Sequence, residues 1–199
     1  MPSPEKFKES LQKFGVSEAI CHEIDAGYET VAFKSPKSAR ARYFKRAIDI
    51  LDAQVAPETV QALLDWNACC KTGQRHKAAL AFAKRNCGLS LAEKLELIKA
   101  ERYMGNPALN PDGSITVHAV AVLKDGKYQC VCSNFIGLKR DYEVSRHYCF
   151  CCAGHFRFHY ETMLGCRLKT VGIESSPLDS NGAAPCVIRF EMALEEKSR

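Results

Sequence analysis

The sequence predicts an α+β fold, with a helical N-terminal half followed by an antiparallel four-stranded sheet and a long packed helix. Apolar residues recur at helical spacing through the first hundred residues, as in Phe7, Leu11 and Phe14. Capping residues such as Ser17 precede these apolar runs and indicate helix starts. At residues 104–113, two Asn-Pro pairs and an Asp-Gly pair mark a connection, and beyond it the apolar period changes to two.

We assign residues 1–103 to a helical region. Ser35 is the predicted N-cap of a helix whose first position is Pro36, because proline is well tolerated where the first N–H groups have no intrahelical acceptor. Ser90 and Glu93 form a capping-box pattern that predicts another helix start.

Residues 111–195 form a predicted β-β-α-β-β region. Alternating apolar residues predict its strands, and Ser145 and Gly165 bound its helix. The predicted strands are residues 114–123, 127–135, 166–176 and 185–194.

Composition and charge exclude several classes of protein. The net charge of +5 is a mild excess, so we do not expect nucleic-acid binding. The basic run at residues 34–47 is interpreted as a solvated helix face, with a phosphate or acidic-partner patch as the alternative. The chain opens without an apolar leader and has no 18-residue apolar run, which predicts a cytoplasmic protein that does not enter a membrane. Its 11 cysteines should then be reduced, which leaves metal binding, catalysis or burial as their roles.

Cysteine and histidine are concentrated in YCFCCAGHFRFHYE, residues 148–161. Cys149 and Cys152 lie three apart in the predicted helix, and Cys130 and Cys132 lie two apart in a predicted strand, so each pair shares a face. Zinc is held by four such ligands in a tetrahedron. The predicted zinc ligands are Cys130, Cys132, Cys149 and Cys152, with Cys151 and His155 as substitutes.

Two other interpretations of this run stay open. A helix start favours thiolates, so Cys151 is a candidate nucleophile with His155 as its base, and Glu161 is an alternative proton carrier. Alternatively, the cysteines are buried and pack as small apolar side chains.

A second grouping lies in the helical half. It comprises Cys69, Cys70, His76 and Cys87, for which packing is the favoured interpretation and a second metal site the alternative. If the two halves dock closely, Cys69 or Cys70 could complete the main cluster instead. We interpret Cys21 and Cys166 as structural.

The C-terminal run ESSPLDSNGAAPCVIRFEM resembles the closing segment of 4-vinyl reductase-type ligand-binding domains and of 2-amino-thiazoline-carboxylate hydrolase-like proteins. The resemblance extends over residues 111–195 and implies a small-molecule-binding α+β domain, sometimes with a cysteine-bound metal. It also implies that Cys186 lines a ligand pocket, and we include His159 as a second candidate lining residue. The YCFCCAGH run departs from the family pattern. The whole chain also resembles a group of bacterial cysteine-rich proteins carrying YC-x-CC-x-GH and SS-P-L…PC, which implies no activity.

These observations predict a small-ligand-binding or sensory protein with a cysteine/histidine zinc site. The alternative is a small hydrolase- or reductase-like enzyme that uses a reactive thiolate or an open-site metal. The expected partner is a small molecule, and a homodimer is left open.

Overall fold

The computed structural model describes residues 2–69, 71–119 and 122–193. Over these residues, α-helices dominate the N-terminal half and a four-stranded antiparallel sheet the C-terminal half, which confirms the predicted α+β class. The helices are α1 Pro4–Lys13, α2 Glu18–Asp25, α3 Lys37–Gln54, α4 Pro57–Trp66, α5 Gly73–Arg85, α6 Leu91–Ile98 and α7 Phe150–Leu164. The strands are β1 Asn106–Leu109, β2 Ile115–His118, β3 Val122–Lys124, β4 Lys127–Gln129, β5 Leu168–Ser175 and β6 Val187–Met192.

Three of the described α-helices, α1, α2 and α6, begin after a serine whose side chain caps the first turn. Ser17 accepts a hydrogen bond from the backbone N–H of Ile20, and the Ser90–Glu93 capping box is formed. The predicted N-cap Ser35 is wrong by one residue, since α3 begins at Lys37. The Ser35 hydroxyl instead accepts from the backbone N–H of Ala32 at 3.0 Å and stabilises the preceding turn.

The main sheet has the strand order β1-β2-β6-β5, with every neighbouring pair antiparallel. Its edge strand β1 lies in the segment that we predicted to be a connection. Pro107, paired with Val117, is compatible with that position because an edge strand needs no N–H donor on its outer side. The Asn-Pro signal therefore marked an edge strand as well as a turn.

The predicted partner strands 114–123 and 127–135 are wrong in extent. The first is interrupted after His118, and the second ends at Gln129. β3 and β4 form a separate two-stranded ribbon around Asp125 and Gly126, whose positive φ values of 51° and 72° suit a tight hairpin turn. Cys130 and Cys132 follow this ribbon in irregular chain, so the predicted shared strand face does not apply to them.

Helix α7 is the central element of the molecule, packed against α4, α5 and β5. Before it, a short 3-10 helix, Arg146–Cys149, is capped by the Ser145 hydroxyl. Gly165 ends α7 in the left-handed conformation, as predicted. Because neighbours surround α7, its side chains are buried on several faces, including Tyr160.

A single hydrophobic core runs through both halves of the chain. Phe44 of α3 contacts Tyr148 of the 3-10 helix, with ring centroids 5.5 Å apart. The Asn134 side chain donates to the carbonyl of Pro2 at 3.2 Å. The predicted regions 1–103 and 111–195 are thus packed against each other. Within the described ranges, no helix combines the length and apolarity needed to cross a membrane.

Candidate thiol site

Six cysteines from three separate chain segments form what we call the thiol cluster: Cys130, Cys132, Cys149, Cys151, Cys152 and Cys186. The first two follow β4, the next three lie at the junction of the 3-10 helix with α7, and the last precedes β6. All six side chains are buried or half-buried, and all are free thiols. The cluster includes every cysteine predicted as a zinc ligand or substitute, together with the predicted pocket residue Cys186.

The sulfurs of the thiol cluster influence one another's pKa values. Burial raises the pKa of Cys130, and charge repulsion from Cys132 and Cys149 raises it further. Burial, followed by repulsion from Cys149, raises the pKa of Cys152 to about 12. Burial also raises the pKa of Cys151 well above its ordinary value. These thiols therefore stay protonated at neutral pH unless a cation compensates their charge.

Cys149 differs from its neighbours because hydrogen bonds stabilise its thiolate. The Cys186 thiol donates to the Cys149 sulfur and lowers the pKa of Cys149, against the opposing effect of burial. The Ser176 hydroxyl, whose oxygen lies 3.2 Å from the same sulfur, lowers it further. Ser176 also accepts from the backbone N–H of Leu178, which leaves its own hydrogen to point at Cys149.

Cys132 is held by a row of polar side chains. The Tyr148 hydroxyl lies 3.3 Å from the Cys132 sulfur and opposes the rise in its pKa that burial causes. Asn134 donates to the Tyr148 oxygen at 3.0 Å, and Arg40 of α3 donates to the Asn134 carbonyl oxygen at 3.0 Å. Sequence reasoning missed Tyr148, Asn134 and Arg40 because their alignment depends on packing between distant segments. The adjacency of Tyr148 to Cys149 was the only local signal.

The cluster is not a closed metal site. Among the residues described here, no three histidine, cysteine, aspartate or glutamate side chains are arranged so that they could hold a metal ion. The cysteines lie within range of one another's charge but do not surround a common point.

His155 and His159 lie on the side of α7 that faces the start of α5. The Nδ1 atom of His155 lies 3.0 Å from the carbonyl oxygen of Cys69 and donates to it. The ring centroids of His155 and His159 are 4.7 Å apart, and those of His76 and His159 are 6.5 Å apart. Burial, followed by the neighbouring His159, lowers the pKa of His155 to about 3. The two halves of the chain are in contact here through the Cys69 carbonyl, and Cys70 lies outside the described residues.

The remaining candidates lie elsewhere. Glu161 accepts from the backbone N–H of Leu168 at 2.9 Å and so fixes the start of β5. Cys87 is exposed. The Cys21 thiol donates to the carbonyl of Val16, and the Cys166 thiol lies 3.8 Å from a methionine sulfur.

Two open surface pockets lie away from the thiol cluster. One has a volume of about 450 Å³ and the other about 500 Å³. The first is lined by Tyr28, Arg42, Lys45, Arg46, Asp49, Ile50, Asp141 and Tyr142. The second is lined by Phe158, Glu161, Thr162, Gly165, Cys166, Arg167, Met192 and Ala193. Neither lining includes Cys186 or His159, the residues expected to face a ligand.

Comparisons with protein-family models, with curated proteins and with solved structures find no match for this chain.

Proposed function

We propose that this protein is a small-ligand-binding or sensory protein whose thiol cluster binds zinc. The observation that carries the proposal is the convergence of free thiols from three chain segments, close enough to shift one another's pKa. Structural zinc sites combine ligands in this way and stabilise contacts between segments that have little regular structure.

The pKa pattern gives the physical reason for zinc. Burial raises the pKa values of Cys130 and Cys152, and repulsion from neighbouring thiolates raises them further. A bound dication reverses this effect, because a coordinating thiol is deprotonated by the metal itself. Zinc binding requires the sulfurs of the cluster to turn toward a common point. Cys130, Cys132, Cys149 and Cys152 remain the proposed ligands, and Cys186 is a further candidate.

We propose that the ligand binds in the surface pocket lined by Tyr28, Arg42 and Tyr142. Its volume of about 450 Å³ lies in the range typical of small-molecule sites. Arg42, Lys45 and Arg46 of α3 exceed Asp49 and Asp141 in charge, which favours a small anion. The basic run that we interpreted as a solvated face thus contributes to a concave site.

A row of aromatic side chains connects this pocket with the thiol cluster, which supports a sensory role. The ring centroids of Tyr28 and Tyr43 are 6.0 Å apart, and those of Tyr43 and Phe44 are 5.3 Å apart. Phe44 contacts Tyr148, and the Tyr148 hydroxyl reaches Cys132. We propose that an anion in the pocket changes zinc affinity through these contacts.

Elemental analysis of protein purified without added metal tests the zinc site. We expect one zinc per chain, and we expect chelation to lower the midpoint of thermal unfolding. Cys130→Ser and Cys149→Ser should each lose zinc. Cys87→Ser is the matched control, because Cys87 is exposed and should leave the zinc content unchanged.

Two results would count against the zinc site. One is a fully folded protein that contains no zinc and gains no stability when zinc is added. The other is zinc loss in the Cys87→Ser control as well as in the cluster variants, which would indicate non-specific binding.

Thiolate chemistry at Cys149 is the second candidate function, favoured by the lowered pKa of this thiol. Cys151, our sequence-based nucleophile, has a raised pKa and a similarly low exposure. Site-resolved alkylation of metal-free protein at neutral pH should therefore modify Cys149 faster than Cys151. Equal rates at the two residues would remove the support for this function.

A further inference from the structure

Basic side chains from two separate segments of the chain form one surface, which we call the basic face. Lys37 of α3 donates to the backbone carbonyl of Ile136 at 2.8 Å, which joins the start of α3 to the segment 136–142. The Arg42 guanidinium lies 5.2 Å from the centre of the Tyr142 ring and makes a second contact between these segments. The basic face comprises Lys34, Lys37, Arg42, Lys45, Arg46 and Lys139.

The order of charges along α3 opposes the helix dipole. Lys37 and Arg40 lie in the first turn, which contains no acidic residue, and the N-cap Pro36 makes no side-chain hydrogen bond. The acidic residues Asp49 and Asp52 lie toward the other end of the helix. Because helices are stabilised by negative charge at the start and positive charge at the end, this order does not stabilise α3. A polyanionic partner accounts for it, since the cations and the N–H groups of the first turn both attract an anion.

Arg42 is the side chain of the basic face best placed to bind an anion. Lys45 has a carboxylate partner one turn later, and Arg46 donates to the carbonyl of Glu23 at 2.7 Å. Arg42 is exposed and, among the residues that the structure describes, has no hydrogen-bond or ion-pair partner. The Tyr142 ring supports its guanidinium, whose N–H groups remain available to a phosphate.

Aromatic side chains are interleaved with these cations. Phe33 directly precedes Lys34 and is 55% exposed. Tyr28 and Tyr142 line the adjacent pocket of about 450 Å³. Nucleic-acid bases stack on aromatic rings and on guanidinium groups, while the phosphates between the bases bind cations. Rings, cations and a pocket on one face therefore fit a strand whose bases are unpaired.

We propose that the basic face binds single-stranded nucleic acid, with phosphates held by its cations, one base stacked on Phe33 and another in the pocket. The inference rests on the proposed function because it uses the same anion pocket, but it does not need zinc to be bound. A duplex keeps its bases paired, and a membrane surface does not enter a pocket, so a single strand fits this face best.

The mild net charge of +5, from which we did not expect nucleic-acid binding, is an average over the whole chain. The fold gathers cations from residues 34–46 and from the segment 136–142 on one side of the molecule. A polyanion responds to this local charge and not to the average.

Fluorescence anisotropy of a labelled oligouridylate RNA of about 12 nucleotides tests the proposal on the full chain. We expect binding at about 50 mM salt and an affinity about 50-fold lower at about 200 mM, which corresponds to about four phosphate contacts. A protein that binds the RNA but contains no zinc would remove the zinc site and support this inference.

A variant that replaces three cations of the basic face should bind the RNA at least about tenfold more weakly. Its substitutions are Arg42→Ala, Lys45→Ala and Arg46→Ala. The matched control removes the same charge from exposed positions on α5 and should bind within about twofold of the unaltered protein. The control substitutions are Lys77→Ala, Lys84→Ala and Arg85→Ala.

Phe33→Ala separates base stacking from charge. It should lower the affinity about fivefold or more at both salt concentrations, because stacking on a ring releases no counterions. Leu80→Ala is its control, since Leu80 is a 50% exposed apolar residue on α5, and it should leave the affinity unchanged. Circular dichroism establishes that each variant is folded, and if the triple variant is not, Phe33→Ala decides.

No binding to the RNA at about 50 mM salt would overturn the inference. Binding of inorganic phosphate in that case would leave the small-anion pocket standing without it. Equal losses in the two triple variants would overturn it as well, and so would tighter binding to phosphatidylserine vesicles than to the RNA.

Discussion

The pKa values of two cysteines at the start of α7 shift in opposite directions, and the immediate neighbours of each cysteine explain the difference. Burial raises the pKa of Cys151, whereas hydrogen bonds from Cys186 and Ser176 lower the pKa of Cys149 two residues earlier. Burial and the charges of neighbouring cysteines act on Cys151, whereas hydrogen bonds act on Cys149. The identity of a functional thiol thus depends on neighbours that are far away in sequence.

The buried histidine His155 should make the metal-free protein less stable in mild acid. Its pKa is about 3 in the folded protein and about 6.5 when unfolded, so below pH 6.5 the unfolded chain takes up a proton that the folded chain cannot. Stability is therefore lost as the pH falls, by about 2 kcal/mol between pH 7 and pH 5.

Urea unfolding at several pH values measures this loss. His155→Gln should remove most of it, whereas His22→Gln, at an exposed position, should retain it. Identical pH dependence in the His155→Gln variant and the unaltered protein would contradict the prediction.

The Tyr148 hydroxyl should contribute to zinc affinity through Cys132. Tyr148→Phe removes the hydrogen bond that orients this sulfur and stabilises its thiolate, so zinc affinity should fall about tenfold or more. Competition with a chromogenic chelator measures the change. Tyr160→Phe is the control, because it deletes an equally buried hydroxyl that donates instead to the Met104 carbonyl. Both variants should lose stability, but only Tyr148→Phe should lose affinity.

Among the elements, the close approach of α4 to α7 decides where the histidines and thiols lie. Gly154 permits this approach, because an added Cβ would lie 2.5 Å from an Asp65 oxygen and 2.9 Å from the Ala68 Cβ. Asp65 cannot move away freely, since it is paired with Arg157 at 2.6 Å. Packing between α4 and α7 therefore requires a glycine at this position.

Gly154→Ala should destabilise the protein by about 1–3 kcal/mol, because the added methyl group forces α4 and α7 apart. Chemical denaturation measures the free energy of unfolding. Gly88→Ala is the matched control, since nothing lies within 4 Å of its added Cβ, and it should be neutral or slightly stabilising. A neutral Gly154→Ala would show that the helices can separate without cost.

At the scale of the whole molecule, the two regions predicted from sequence share one core. Phe44 packs against Tyr148, and Arg40 supports Asn134 beside the thiol cluster. The site is therefore built by both halves, although its cysteines all come from the second.

We expect a truncated chain of residues 104–199 to unfold without cooperativity, because it lacks the helices that cover α7. Thermal unfolding followed by circular dichroism measures this. Mixing it with a separate chain of residues 1–103 should restore part of the cooperative transition. A sharp transition in the truncated chain alone would show that the second half folds independently.

The sequence by itself determined the fold class, the helix start at Ser17, the capping box at Ser90 and the end of α7 at Gly165. These features depend on local backbone geometry and on apolar periodicity, which neighbouring residues decide. The tertiary structure alone decided that β1 joins the sheet, that Cys130 and Cys132 lie outside a strand, and that the Ser176 hydroxyl lies against the Cys149 sulfur. Strand pairing and side-chain contacts join residues far apart in the chain, and local propensity carries no information about those distances.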